Sequence, residues 1–588
     1  MRPDFYTHSL LNYISVRTTL TPLLFLSLSG LLAALPGRAD TLTLAPAYYN
    51  VDAQKHLILV NKKPVDLQIE SGEQNSHLTL DQTYTFTKPL QTPTTRTGYE
   101  AAYDGTRYAV YFTDLPILSV STRDSIQDTP SIAAKLTLVD GSGQTLTADL
   151  GIEYRGGFSQ TYPKKSYELS FWQDSTGDKS RDVRLLGMRS DNKYNLQALY
   201  NEPLRVRNKS SHELWQEIHQ PTYLAQEPEA KSGIALQYVE VFVNGAYRGI
   251  YALTERVDRK QLKLKKYSNG ITGELYKGDD WGPAVTFSGL PDFDNGSETW
   301  GGFEYKHPDE KIDWTNLHGF VGFVRNSPER EFLATYQQKF NLRNAVDYYL
   351  FMNLLRADDN RGKNLYIARY KQGEPYFYVP WDLDGVFGNG WDGSNVNVTN
   401  DLLSNGFYDR LWQDRTANGF RATLRTRWAE LRQTIITEEH ILDKFRANQD
   451  LLQRNAVYER EQLAWTGFAP AEMNTQLDYT ANWLANRLRF LDATFGAPFD
   501  IITATPVAAA NRLMLYPNPS SDVITVETGA TGPTELTLRD LTGRLVLQTT
   551  LRGSKPRLDV RQLPKGLYLA TLSASGQLAP RTARVVIN

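Results

Sequence analysis

At 588 residues the chain is too long for one ordinary domain and is expected to hold three or four. A formal net charge of −2 gives no basis for nucleic-acid binding, and the absence of cysteine excludes disulfides, thiolate zinc sites and cysteine nucleophiles. The eight histidines include no HxxxH-type pair, so any bound metal is expected to be a hard cation on carboxylates.

The first element reads as a targeting segment. Arg2 and Arg17 precede an apolar run from Leu20 to Leu35, and Pro36-Gly37-Arg38-Ala39-Asp40 closes it, the layout of a secretory signal peptide over residues 1–39. The run is only about sixteen residues and is broken by Pro, Ser and Gly, too short to span a bilayer comfortably. No later stretch is apolar enough to cross as a helix, so no transmembrane span is expected in the mature form. Residues 40–115 then read as short strands, Thr41–Leu44, His56–Val60, Val65–Ile69, Thr83–Phe86 and Tyr108–Phe112, separated by Asn-, Gly-, Pro- and Thr-rich turns. They suggest a small β-sandwich-like module.

Residues 116–500 are mixed helix and strand, and they carry the chemistry. Tyr154-Arg155-Gly156-Gly157-Phe158-Ser159 ends one strand, and Tyr162-Pro163-Lys164-Lys165-Ser166 opens the next. A glycine turn lets backbone N–H groups approach phosphate, and a lysine on the following strand can meet it. Alternation puts Lys165 with Tyr167, Leu169 and Phe171, and Lys164 with Ser166 and Glu168, without deciding which lysine faces a ligand. A helical pattern from Pro203 to His219 offers Glu213 and Glu217, either of which could pair with that lysine. The next hairpin, Tyr238–Val243 and Tyr247–Leu253 around Asn244-Gly245, has the signature of a type I′ turn. It exits through Thr254-Glu255-Arg256-Val257-Asp258, where a kinase places its nucleotide-contacting hinge, and so Glu255 is a candidate contact.

Leu342, Ala345, Val346, Tyr349, Leu350 and Leu354 fall at helical spacing, and the helix is expected to end just before Asp358-Asp359. Asp359 is followed five residues later by Asn364, the offset of a protein-kinase catalytic loop. Two strands then lead to Trp381-Asp382-Leu383-Asp384. Asp359 is the candidate base for an attacking hydroxyl, and Asn364, Asp382 and Asp384 are candidate ligands for Mg²⁺ or Mn²⁺ held with the phosphates of ATP.

Three stretches together resemble the CotH (spore coat protein H) kinase-like family: RGGFSQTYPKKSYELSF, VEVFVNGAYRGIYALTERVD and DDNRGKNLYIARY…YFYVPWDLDGVFG. The resemblance implies an atypical protein-kinase-like α+β fold that binds ATP and a divalent metal and phosphorylates protein. It makes Asp359 the catalytic base and Asn364 and Asp382 metal-facing, with Asp384 replacing or assisting Asp382. Lys164 occupies the family's lysine position, and Arg155 and Gly156 would face nucleotide. The chain departs from the wider kinase pattern in lacking a full GxGxxG loop and a His-Arg before Asp359.

Residues 501–512 read as an Ala/Thr/Pro linker, and residues 513–588 return to strands and turns. YPNPSSD, LRDLTGRLV and LPKGLYLATL resemble the C-terminal sorting domain of the type IX secretion system, a β-sandwich, although the chain ends in VVIN where a basic residue is usual. That resemblance implies a Gram-negative outer-membrane route, the secretion machinery as a partner, and release or anchoring at the cell surface. The sequence therefore suggests a secreted kinase acting on an exported protein substrate. A non-catalytic surface protein and a phosphotransferase for a sugar or other small molecule are the alternatives.

Overall fold

The computed structural model describes residues 41–67, 69, 74–468, 473–497, 513–529, 532–574 and 580–588. The expected signal peptide and linker lie outside them. The chain divides into two compact units, Met1–Pro498 and Phe499–Asn588.

The first unit begins with one seven-stranded sheet in the order Thr41–Thr43, Asn75–Thr79, Thr83–Leu90, Tyr99–Tyr103, Thr106–Phe112, Leu57–Val60, Tyr49–Asp52. Over the expected strand at Val65–Ile69, the described residues form no strand. Pro64, which lacks a ladder donor, opens a 3₁₀ turn over Pro64–Leu67 instead. The sheet is packed onto the rest of the unit. Leu57, Leu59 and Tyr111 join Phe242, Tyr247 and Ala456 in one apolar cluster, and the buried Asp52 carboxylate accepts a hydrogen bond from Tyr247 N at 2.8 Å.

Next comes a closed seven-stranded barrel: Thr145–Arg155, Ser166–Phe171, Lys193–Gln197, Ala246–Thr254, Leu236–Val243, Ile117–Thr122 and Ile132–Val139. All neighbours are antiparallel except Ile117–Thr122 with Leu236–Val243. Alternation fills the interior with Leu136, Leu150, Leu169, Leu196, Val241 and Leu253, all buried, and turns the intervening residues outward. Asn244 and Gly245 both adopt positive φ, as the hairpin turn requires.

A five-stranded sheet (Thr299–Trp300, Phe303–His307, Glu274–Gly278, Leu365–Arg369, Tyr376–Pro380) and a set of helices complete the unit. Leu342–Leu355 is the central helix; every residue from Asn344 to Leu355 is buried, and Asn341 caps its start by accepting from Asn344 N. The helix stops where Arg356 turns left-handed (φ +50°), two residues before Asp358.

The described residues of the second unit form strands and turns. A three-stranded sheet and a four-stranded sheet enclose Leu513, Val526, Leu536, Tyr568 and Val585, the layout of a small sandwich. Among the described residues no helix is long and apolar enough to cross a membrane.

Candidate functional site

A cleft of about 930 Å³ lies between the outer face of the barrel and the loops flanking Leu365–Arg369, a size that suits a nucleotide. On the barrel side, Thr145–Arg155 runs into Gly156, whose φ is +103° and whose place a Cβ could take only at 2.1 Å from Ser159 Oγ. Glycine is required there. Arg155 and Gly156 line the cleft, and the Arg155 guanidinium lies 5.6 Å from the centre of the Trp381 ring.

The structure separates the two lysines. Tyr167, Leu169 and Phe171 enter the barrel core, while Ser166 and Glu168 line the cleft, and Lys164 is in register with the latter. Its ammonium is almost fully enclosed. It donates to Glu461 Oε1 at 2.8 Å, Glu461 Oε2 at 3.0 Å and Ile250 O at 2.6 Å. Burial pushes the Lys164 ammonium down to about 8, against the pull of Glu461. Lys165 instead donates to Gln160 O at 2.6 Å, away from the cleft.

Glu461 lies on the helix Val457–Ala464, nearly three hundred residues from Lys164 in sequence, and also accepts from Arg205 Nε (3.1 Å) and Ile250 N (2.8 Å). Gly249 (φ +88°) makes room for it, since a Cβ there would stand 1.9 Å from Oε1. The acids expected to pair with the lysine do other work. Glu213 binds Lys209 (2.6 Å) and Asn448 (3.1 Å), and Glu217 binds His440 and Lys444, both on the side of their helix that meets Glu438–Arg454. Glu255 is fully buried and outside the cleft. It accepts from Arg189 N, Ala235 N and Lys231 Nζ and so braces the end of the hairpin. Its neighbour Arg256 points into the cleft and pairs with Glu168 at 2.6 Å.

The opposite wall carries the acids. A 3₁₀ turn, Asp359–Arg361, presents Asp359 to the cleft. Asn360 fixes the loop from beneath: its Nδ2 donates to Asn364 O (2.5 Å) and Trp381 O (2.9 Å), and its carbonyl accepts from Tyr348 OH (2.8 Å). Asn364 (φ +52°) and Asp382 (φ +55°) both sit in the left-handed region, which Asn and Asp tolerate better than most residues. Asn364 N donates to Gly278 O, and Trp381 N donates to Asn364 O, so the two loops are laced side by side.

Asp359, Asp382 and Asp384 are all held above the usual carboxylate range. Burial is the largest cause for each. Asp358 and Asp382 push Asp359 further, and Asp382 pushes Asp384. Arg155, Lys277 and Lys363 oppose the rise at Asp382 without forming an ion pair with it. Among the described residues no group of three or more His, Asp or Glu converges as a metal cage. Protein atoms here supply two carboxylates and the Asn364 amide, a set that fits a divalent cation sharing its remaining positions with phosphate oxygens or water.

Residues 152–491, more than half of the chain, match the family model described as CotH kinase protein. This chain belongs to the CotH kinase family. The match spans Lys164, Asp359, Asp382 and Glu461 and leaves the first sheet outside it. Residues 514–588 match the secretion system C-terminal sorting domain. The CotH chain is also similar to inner spore coat protein H of Bacillus subtilis (strain 168), 25% identical over 305 residues, which cover 51% of this chain and 75% of that protein. Sequence reading missed Glu461, Arg256, Lys277 and Asn360 as members of the site. Only Asn360 carried a local signal, its position inside the Asp359–Asn364 loop.

Proposed function

We propose that this CotH-family chain is an exported kinase-like phosphotransferase that binds ATP with Mg²⁺ or Mn²⁺ and phosphorylates a hydroxyl of an exported protein. The observation that carries the reading is one cleft holding Asp359 beside Asp382 and Asp384, half-buried carboxylates crowded together with no cation in ion-pair reach of the pair among the described residues. Such a pair favours a divalent cation, and phosphate oxygens would complete its shell. The cation offsets the charge of the phosphates when bound. Asp359 orients the acceptor hydroxyl and accepts its proton, and Arg155 and Lys277 supply positive charge along the phosphates. Lys164, locked by Glu461, holds the barrel wall in place at the phosphate end.

The sorting domain supports passage through the type IX machinery to the surface of a Gram-negative cell. Because the two units have separate cores, removal of residues 513–588 is expected to stop export and leave nucleotide binding intact. A sugar hydroxyl is the second reading for the acceptor, favoured by three exposed aromatics on the cleft, Phe158, Trp281 and Trp391. Calorimetric titration with ATP and Mg²⁺ or Mn²⁺ tests the proposal. Saturable heat is expected from wild type and none from Asp382→Ala. Absence of heat in wild type would leave a non-catalytic binding protein.

A further inference from the structure

Asn195 and Gln197 stand on the strand Lys193–Gln197 one step out of phase with Tyr194 and Leu196, which fill the barrel. They therefore face outward, and both line the cleft. Only 2% of Asn195 and 5% of Gln197 is exposed, yet Asn195 Oδ1 and Gln197 Nε2 have no hydrogen-bond partner among the described residues. Thr254, cross-strand neighbour of Asn195, is also buried with its hydroxyl unpaired. An unmet buried polar group is costly, so several on one face of two neighbouring strands mark a place where something else supplies the partners.

The sense of the array is set by its surroundings. Leu383 N, between the two metal-candidate acids, donates to Asn208 Oδ1 at 3.4 Å, and Asn208 Nδ2 donates to Gln197 Oε1 at 2.5 Å. That relay occupies the Gln197 carbonyl and leaves its amide N–H₂ as the free group. The cleft thus offers a neutral donor at Gln197 and, two residues away, the Asn195 amide, whose oxygen is free to accept and whose nitrogen is also without a partner among the described residues. Elsewhere the wall mixes charged groups with neutral ones: Arg155, Arg256 and Lys277 suit phosphate, the acids and Asn364 suit a cation or a hydroxyl, and Phe158, Trp281 and Trp391 add aromatic surface. A neutral donor beside a neutral acceptor suits the edge of a heterocyclic base, which carries a ring acceptor next to an exocyclic amine.

We infer that Asn195 and Gln197 form the base-reading wall of the nucleotide site, Gln197 Nε2 donating to a ring nitrogen and Asn195 Oδ1 accepting from the exocyclic amine. This rests on the phosphotransferase reading above and adds to it the part of the ligand that sets specificity. It also removes the hinge position around Glu255 from base recognition, since that carboxylate is fully occupied by backbone and lysine donors.

The test is calorimetry in Mg²⁺ with four probes: ATP, purine riboside triphosphate, which lacks the exocyclic amine, 2′-deoxy-ATP, and inorganic tripolyphosphate. Wild type is expected to bind ATP about 10-fold or more tighter than purine riboside triphosphate, because the analogue leaves Asn195 unmet. Asn195→Leu, close in volume, should bring that ratio near one, keep tripolyphosphate affinity, and melt no earlier than wild type, since the replaced oxygen had no partner to lose. Gln197→Met is the second variant and should weaken ATP and purine riboside triphosphate alike without touching tripolyphosphate. An unchanged ATP preference in Asn195→Leu overturns the inference, as does an equal loss of tripolyphosphate binding. A preference that follows 2′-deoxy-ATP instead of the amine also overturns it, by assigning the wall to the ribose. Tight binding of tripolyphosphate and ATP with no base preference in wild type sinks this inference alone; no binding of either sinks the phosphotransferase reading with it.

Discussion

Lys164, Glu461 and Arg205 form a buried charge cluster behind the cleft wall; the half-buried Asp382 and Asp384 form a second, and the two are built on opposite rules. In the first, a carboxylate is shared between two cations, and its lone pairs are also met by Ile250 N. In the second, Asp382 lies within electrostatic reach of Asp384 and of Arg155, Lys277 and Lys363 without an ion pair to any of them, and among the described residues Asp384 is met only by the neutral Asn201 side chain and the Gly385 backbone. Taking charges out of water is tolerable only where partners replace the water, so the closed cluster is complete as it stands and the open one is not. The difference separates framework from working site at a single cleft. It also shows why Lys164 alone is a poor marker of function here, since its three donor positions are already used by Glu461 and Ile250 O.

Breaking the closed cluster should have the largest effect. Glu461→Ala leaves Lys164 and Arg205 as buried cations without a counter-charge, a change that costs about 3–5 kcal/mol. It also frees Ile250 N and detaches the helix Val457–Ala464 from the barrel. Urea denaturation should show the midpoint falling steeply, with Glu461→Gln between the variant and wild type. A wild-type midpoint in Glu461→Ala would mean that the cluster is not framework.

The open cluster and its neighbour Asp359 should respond in chemistry, with little change in folding. Asp359→Asn keeps shape and hydrogen-bond acceptance but cannot take a proton. Phosphoryl transfer is expected to fall by about 10²-fold or more, with nucleotide affinity near wild type and a similar melting temperature. If this variant melts much earlier yet transfers phosphate normally per folded molecule, Asp359 is structural. Asp358, already paired with Arg361 at 3.0 Å, would then be the next candidate.

The two clusters were not equally legible in the sequence. The open one is local: a helix with period 3.6 ends before Asp358, an Asp-x₄-Asn loop comes next, and a hairpin delivers Asp382, all within about 25 residues and all formed as the pattern implies. The closed one joins residues from the barrel and from a late helix, and nothing near Glu461 announces a lysine partner. Glu213 and Glu217 were the nearer acids at helical spacing, and tertiary packing gave them to Lys209, His440 and Lys444 instead. Strand alternation did separate Lys164 from Lys165, but which face met the cleft depended on closure of the barrel around Tyr167 and Leu169. The first sheet was the least legible part. Tyr49–Asp52, Asn75–Thr79 and Tyr99–Tyr103 are short, polar strands whose pairing comes from their neighbours more than from their own composition.

The sharpest effect for the comparison is in the metal-free protein. Burial and the nearby Asp382 raise Asp384, to about 8, so the folded chain holds a proton there that the unfolded chain releases near pH 4. This group's contribution to stability is therefore fully present below pH 4 and is lost as pH rises toward about 8. Asp384→Asn keeps the side chain neutral throughout and should remove that loss. Without divalent cation the variant is expected to match wild type near pH 4 and to melt progressively higher as pH rises to 8, since each unit between the two values costs the wild type about 1.4 kcal/mol at full effect. Adding Mg²⁺ with ATP should reverse the order at pH 8, because ligand binding stabilises only the chain that retains both carboxylates. Thermal melts of the two proteins at both pH values, with and without Mg²⁺-ATP, decide it. If Asp384→Asn melts lower at pH 8 in the absence of metal, the acid has a partner that stabilises its charge, and the second cluster is as closed as the first.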